Sequence, residues 1–162
     1  MPMGNLPLSE DEEKALGEFL KRNPNPLGED EVKELAKRHL ESDGWQVSVK
    51  AGKTHGVDVE ATKGTARWVI EVKGYAGGKV EMQGEYFKDV LGEILQRMAF
   101  EGEKYSIAFP DAPRYRNLWE QLPNLAKRRT GISCLFVDKQ GRVVECQATQ
   151  SSPPTGIVTC SH

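Results

Sequence analysis

The sequence predicts a mixed β-sheet flanked by helices on both faces, an α/β (α+β) domain, and three observations carry that reading. Three segments with strand-like alternation, Trp45–Val49, Val57–Ala61 and Trp68–Lys73, succeed one another with only loops between them. A long helical pattern from about Gly84 to Phe100 then presents Tyr86, Phe87, Val90, Leu91, Ile94, Leu95 and Met98 as a wide apolar face suited to lying on a sheet. Beyond it come a strand at Tyr105–Phe109, a helix over about Arg114–Arg128 interrupted near Pro123, and a terminal hairpin of Ile132–Val137 and Arg142–Cys146. An antiparallel meander leading into a helical crossover yields a mixed sheet.

The elements before the sheet have clear boundaries. Ser9 with Glu12 forms a capping-box pattern, Ala15, Leu16, Phe19 and Leu20 form a stripe, and Asn23-Pro24-Asn25-Pro26 stops the helix. A second helix is expected from Glu29 to Ser42, with Val32, Leu35, Ala36, His39 and Leu40 inward and Gly44 at its end. His39 is read there as a packing residue. Ala51–Gly56 is a loop whose Gly-Lys-Thr lacks the upstream glycine and spacing of a phosphate-binding loop. Tyr75–Val80, with Gly77-Gly78, is a turn. The expected organisation is an accessory helical segment over 1–27, one domain over 28–147, and a tail over 148–162 whose linker composition predicts disorder.

Composition narrows the class. The chain has 162 residues and a net charge of −2, so a globally basic nucleic-acid module is excluded and any phosphate-binding surface must be local. The groups Lys33/Lys37/Arg38, Lys50/Lys53/Lys63, Arg114/Arg116 and Lys127/Arg128/Arg129 are each read as solvated surface. No apolar run reaches membrane-spanning length, and the opening MPMGNLPLSEDEEK lacks the regions of a signal peptide, which predicts a cytoplasmic protein. Cys134, Cys146 and Cys160 show no metal-type pairing; Cys134 and Cys146, opposite in the hairpin, are read as thiols.

The chemistry-bearing residues lie between Gly56 and Gly74. Asp58 and Glu60 alternate with Val57, Val59 and Ala61, and Glu71 and Lys73 share a face with Val69 on a strand that is apolar on both faces at Trp68-Val69-Ile70. Carboxylates there are costly to bury without partners. If Asp58 and Glu71 meet across neighbouring strands they repel, and a divalent cation removes the repulsion. Oxygen ligands with water completing the shell suit Mg²⁺ or Mn²⁺. The Val72 backbone oxygen is a further candidate ligand, and Lys73 can hold or help deprotonate the attacking water. The bland alternative is a cross-strand ion pair between Glu71 and Lys73 on an exposed face. Glu60 is read as solvated, His55 as a loop residue, Gln83 as either site or surface, and Tyr75 and Arg67 as flanking the site.

Asp58, twelve intervening residues, then Glu71-Val72-Lys73 resembles the PD-(D/E)XK nuclease superfamily, and the helix–three strands–helix–strand order over about Glu29–Phe109 resembles its restriction-endonuclease-like αβββαβ core. Val57 stands where the family's Pro often precedes the first Asp. The resemblance implies a further acidic ligand on the first core helix, with Glu31 the first choice, then Glu29 and Glu34. Gln83 followed by Tyr86 or Phe87 is similar to the Gln of Mrr-like and Holliday-junction-resolvase-like members, which would make it catalytic. GWQV, IEVKG and LGEILQRM also loosely resemble XisH-type proteins, although Glu93 stands where a Gln is expected. The implied function is Mg²⁺- or Mn²⁺-dependent endonucleolytic cleavage of DNA by Asp58, Glu71 and Lys73, with a second copy or a partner subunit supplying specificity. The alternative is a catalytically silent DNA-binding or assembly subunit of the same fold, and a third reading is a plain interaction domain.

Overall fold

The structure is a computed structural model and describes residues 8–51, 55–76 and 80–149. Helix α1 (Glu10–Arg22) begins with the expected capping box: the Glu12 amide donates to Ser9 Oγ at 3.3 Å and the Ser9 amide to Glu12 Oε2 at 2.9 Å. None of its residues is buried. It is tied down by Glu12, which accepts from Arg114 and Asn117 at 3.0 Å each, and by Phe19 stacked on Tyr75.

Helix α2 (Glu29–Ser42) has the expected limits but not the full expected face. Val32, Lys33, Ala36 and Leu40 are buried, whereas His39 is exposed. The helical repeat through Val32, Ala36 and Leu40 turns position 33 inward and position 39 outward, so a lysine takes the place assigned to the histidine.

The sheet contains β1 (Gln46–Val49), β2 (Val59–Lys63), β3 (Ala66–Val72), β4 (Lys104–Pro110), β5 (Ser133–Val137) and β6 (Val143–Cys146), in that spatial order. Neighbours are antiparallel except for β3–β4 and β4–β5, which are parallel. Helix α3 (Val80–Arg97) crosses from β3 to β4, and α4 (Pro113–Gln121) with α5 (Asn124–Thr130) from β4 to β5. Pro123 separates α4 from α5 as expected. Helix α3 starts about a turn earlier than the periodicity implies. The expected Gly77-Gly78 turn, most of the loop around Lys53, Cys160 and the tail from 150 onward lie outside the described residues. Among the described residues no helix is long and apolar enough to cross a membrane.

Alternation on the strands builds two cores. Val69, Ile107, Phe109 and Phe136 face α3 and α4, packed against Phe87, Val90, Ile94, Tyr115 and Leu118. Trp68, Ile70, Val72, Leu135 and Val137 face α2, against Val32 and Leu40. β3 is therefore covered on both sides, as its apolar run implies. Trp68 Nε1 donates to Ser106 Oγ at 2.8 Å, and Ser106 and Ser133 share a hydrogen bond, so these polar atoms inside the sheet are satisfied. Cys134 and Cys146 are register partners and both are free thiols.

Directly after β3 the chain presses against the start of α2. A Cβ on Gly74 would clash with the Glu29 backbone nitrogen and lie 2.7 Å from the Gly28 carbonyl carbon. Tyr115 donates its hydroxyl proton to the Gly74 carbonyl at 2.7 Å, and the Tyr75 amide donates to the Leu27 carbonyl at 2.9 Å. Because backbone rather than a side-chain tip blocks the Cβ, Gly74→Ala should lower the denaturant midpoint by the equivalent of about 1–3 kcal/mol. Gly92→Ala, at a helical position with nothing within 4 Å of the added carbon, should be neutral or stabilising by up to about 1 kcal/mol.

Candidate metal centre

The site forms where the end of β3 meets the chain entering β2. Asp58 lies just ahead of β2 rather than within it, its carbonyl accepting from the Lys50 amide at 2.9 Å. Its Oδ2 accepts from the Val72 amide at 2.9 Å, which draws the carboxylate beside Glu71. Strand alternation turns Glu71 to the α3 side, and Lys73 reaches that side too. Glu93 and Arg97, one turn apart on α3, meet them: Lys73 Nζ lies 3.1 Å from Glu93 Oε1, and Arg97 Nε 2.9 Å from Glu71 Oε1. Asp58, Glu71 and Glu93 each offer a carboxylate oxygen, and these oxygens all lie within 4.8 Å of one another.

Burial makes this acidic trio unusual. Asp58 and Glu71 are 5 % and 2 % exposed, so their charges must be answered within the protein. Burial pushes the Glu71 carboxyl up to about 7, assisted by its hydrogen bond to Asp58 and by that neighbour's charge, with Arg97 acting in the opposite direction. Burial also acts upward on Asp58, but its hydrogen bonds to Glu71 and the Val72 amide, with Lys33 and Lys50, hold it below the usual carboxylate range. Lys33 Nζ is 3.4 Å from Asp58 Oδ1 and 2.8 Å from Glu29 Oε1. Lys50 Nζ is 3.4 Å from the same Asp58 oxygen and donates to the Gly56 carbonyl. Burial opposes the charge on Lys33, but Glu29 and Asp58 overcome it and hold the ammonium above its usual range. Burial also opposes the charge on Lys73, but the hydrogen bond to Glu93 and the charges of Glu93, Glu29 and Asp89 together raise it.

Other candidate residues fall elsewhere. Glu31 is exposed and accepts from the Gly28 amide at 3.3 Å, an N-terminal cap that keeps it out of the carboxylate trio. Glu34 pairs with Arg38 on the outer face. Glu29, the second choice, is the α2 acid that reaches the site, through Lys33. The part of Val72 tied to Asp58 is its amide rather than its carbonyl. Gln83 is fully buried in the first turn of α3 beside the Tyr75 hydroxyl, and among the described residues neither its amide atoms nor that hydroxyl has a partner other than each other. Arg67 does not flank the site: it stands near the start of β3, at the far end from Glu71, paired with Glu60 and Glu103. Glu60, read as solvated, is that partner, and His55 is exposed in its loop.

Sequence reading misses Lys33, Lys50 and Arg97 as members of the site and gives Glu93 no role. The signals are faint but physical. Glu29/Lys33 and Glu93/Arg97 are charged pairs four residues apart on helices that otherwise carry an apolar face.

Fold and site thus define a mixed α/β protein whose central strand ends in a buried acidic cluster bound by cations. No protein-family model and no curated protein matches the chain. Solved structures do. An fdxN element excision controlling factor protein from Anabaena variabilis is 18% identical with a TM-score of 0.51, the match covering 73% of this chain and 98% of that one. An XisH family protein from Nostoc punctiforme is also 18% identical, with a TM-score of 0.50 and coverage of 70% and 95%. At this identity the likeness is one of fold.

The raised Glu71 has a measurable consequence. Its carboxyl moves from 4.5 in the unfolded chain to about 7, so the stability it contributes is fully present below about pH 4.5 and is lost as pH rises through about 7. In EDTA the wild type should lose roughly 1–3 kcal/mol between about pH 5 and 8, and Glu71→Gln, which cannot ionise, should flatten that loss. Denaturant titrations across this range that run parallel for the two proteins would remove the assignment.

Proposed function

We propose that the protein is a divalent-metal-dependent nuclease of the PD-(D/E)XK type that hydrolyses phosphodiester bonds of DNA. The observation that supports this best is the convergence of Asp58, Glu71 and Glu93 on one point, with the Lys73 ammonium on its edge. The donor set fits the metal. Three carboxylates supply only oxygen, the preference of Mg²⁺ and Mn²⁺, and two of them are buried side by side where a divalent ion would relieve their repulsion. Bound there, the ion supplies Lewis-acid charge to a phosphoryl oxygen and activates water.

The chain's own residues divide the remaining work. Asp58 is held in place by the Val72 amide and by Lys33 and Lys50. Lys73 stays protonated because Glu93 stabilises its charge, so it positions the attacking water and stabilises negative charge on the phosphate rather than accepting a proton. Gln83 is sealed from solvent, so in this reading it supports Tyr75 and the segment after Lys73 without touching substrate. Sequence specificity comes from a second copy or a partner subunit.

One observation favours the second reading, a DNA-binding or assembly subunit that does not cleave. Lys33, Lys50 and Arg97 already neutralise Asp58 and Glu71, and carboxylates satisfied in this way have less need of an ion. The name of the Anabaena protein, an excision controlling factor, suits an accessory role in DNA-element excision.

The test is cleavage of supercoiled, linear, branched and single-stranded DNA in Mg²⁺ and Mn²⁺. Asp58→Ala and Lys73→Ala should each reduce the rate at least about 100-fold while melting cooperatively. Equal cleavage by all three proteins would refute the assignment. Salt-sensitive DNA binding with no turnover would select the second reading.

A further inference from the structure

Arg97 is bound in a way that sets it apart from the other cations of the site. Its Nε donates to Glu71 Oε1 at 2.9 Å and its Nη2 to the Gly56 carbonyl at 3.0 Å, so the guanidinium bridges β3 and the loop entering β2. Nη1 has no partner among the described residues. The Glu71 side chain is 3 % exposed but that of Arg97 is 38 % exposed, so one end of the pair is fixed inside the protein and the other borders solvent. Lys33, by contrast, has a side chain 2 % exposed and is held by two acids. Arg97 is also the last residue of α3, at the end of the helix where backbone hydrogen bonding holds the chain least firmly.

Arg97 already answers the charge of a carboxylate that a divalent ion at the trio would draw on. One carboxylate charge cannot be answered at full strength by both a guanidinium at hydrogen-bond distance and a metal ion, so the two compete for Glu71. Of the two cations, the one at the surface is the one able to leave. A guanidinium released there keeps its charge and its planar fork, the geometry that binds phosphate oxygens in pairs, at the mouth of a site lined by Lys50 and Lys73.

Resting on the nuclease reading, we infer that Arg97 is an exchangeable counter-ion: it neutralises Glu71 until a divalent ion takes that carboxylate, and it then grips the DNA phosphate entering the site. Metal and substrate are thereby linked through one side chain. The metal frees the arginine, and the freed arginine adds to DNA affinity, so each ligand strengthens the other.

The experiment compares wild type, Arg97→Met and Arg97→Lys, each first shown to melt cooperatively. Calorimetric titration with Mn²⁺ should give binding about tenfold tighter in Arg97→Met than in wild type, because the competitor is gone. Arg97→Lys keeps the charge but cannot bridge Glu71 and Gly56 together, so its Mn²⁺ affinity should lie nearer that of Arg97→Met. In parallel, polarisation of a fluorescent duplex is read immediately on mixing, before turnover. Mn²⁺ should raise the DNA affinity of wild type, and Arg97→Met should lose most of that rise. Equal Mn²⁺ affinity in all three proteins, or an Mn²⁺-dependent rise in DNA affinity that survives in Arg97→Met, overturns the role of Arg97 alone. An Mn²⁺ affinity of Arg97→Lys equal to that of wild type reduces the effect to general charge and overturns the exchange. No Mn²⁺ binding by any of the folded proteins overturns the metal reading and the exchange with it.

Discussion

Two carboxylates lying against each other at the buried end of β3 impose the constraint that organises this molecule. Asp58 and Glu71 sit where solvent cannot screen them, and like charges in such surroundings are tolerated only with compensation close by. The compensation is drawn from three parts of the chain: Lys33 on α2, Lys50 at the end of β1, and Arg97 on α3. Each cation stands where its own element would otherwise present an apolar or outward residue. Four carboxylates, counting Glu29 and Glu93, thus meet four cations, counting Lys73, in one connected cluster.

The sheet supplies the geometry that makes this possible. Covered on both faces, β3 sends Trp68, Ile70 and Val72 toward α2 and Val69 and Glu71 toward α3. A carboxylate at position 71 therefore meets α3, while Asp58, arriving from the loop before β2, remains within reach of Lys33 on α2. The close approach of Gly74 to the first turn of α2 ties these two sides together. Glu29, at that turn, is at once a neighbour of the glycine and the second partner of Lys33.

Much of the architecture is legible in the sequence because it rests on short-range patterns. Period-two alternation places Glu71 and Lys73 on one side of β3, and the capping box and Gly44 bound the first two helices. The misassignments share a different cause. Lys33 and Arg97 are hidden because a cation in an apolar stripe looks like an ordinary surface residue until its acidic partner arrives from a distant segment. A histidine beside Leu40 fits an apolar stripe, yet the helical phase that buries Lys33 turns His39 out. Glu31 is attractive for its position at the edge of the helix face, but at the third helical position its carboxylate finds the free Gly28 amide first. Sequence distance misleads for Arg67: few residues separate it from Glu71, but an extended strand carries it to the opposite end of the sheet.

The β2–β3 hairpin, turned at Gly64, bears on the order in which the protein assembles. The Val72–Asp58 contact spans only 14 residues, whereas the Arg97–Glu71 contact spans 26 and requires α3 to cross back over the sheet. Short loops close at the least entropic cost, so the contact that draws Asp58 beside Glu71 is the cheaper of the two to close, with Lys50 directly after β1. A partly folded chain therefore carries an excess of negative charge at this point until the end of α3 docks. Docking of α3 in the register that carries Arg97 to Glu71 removes that imbalance.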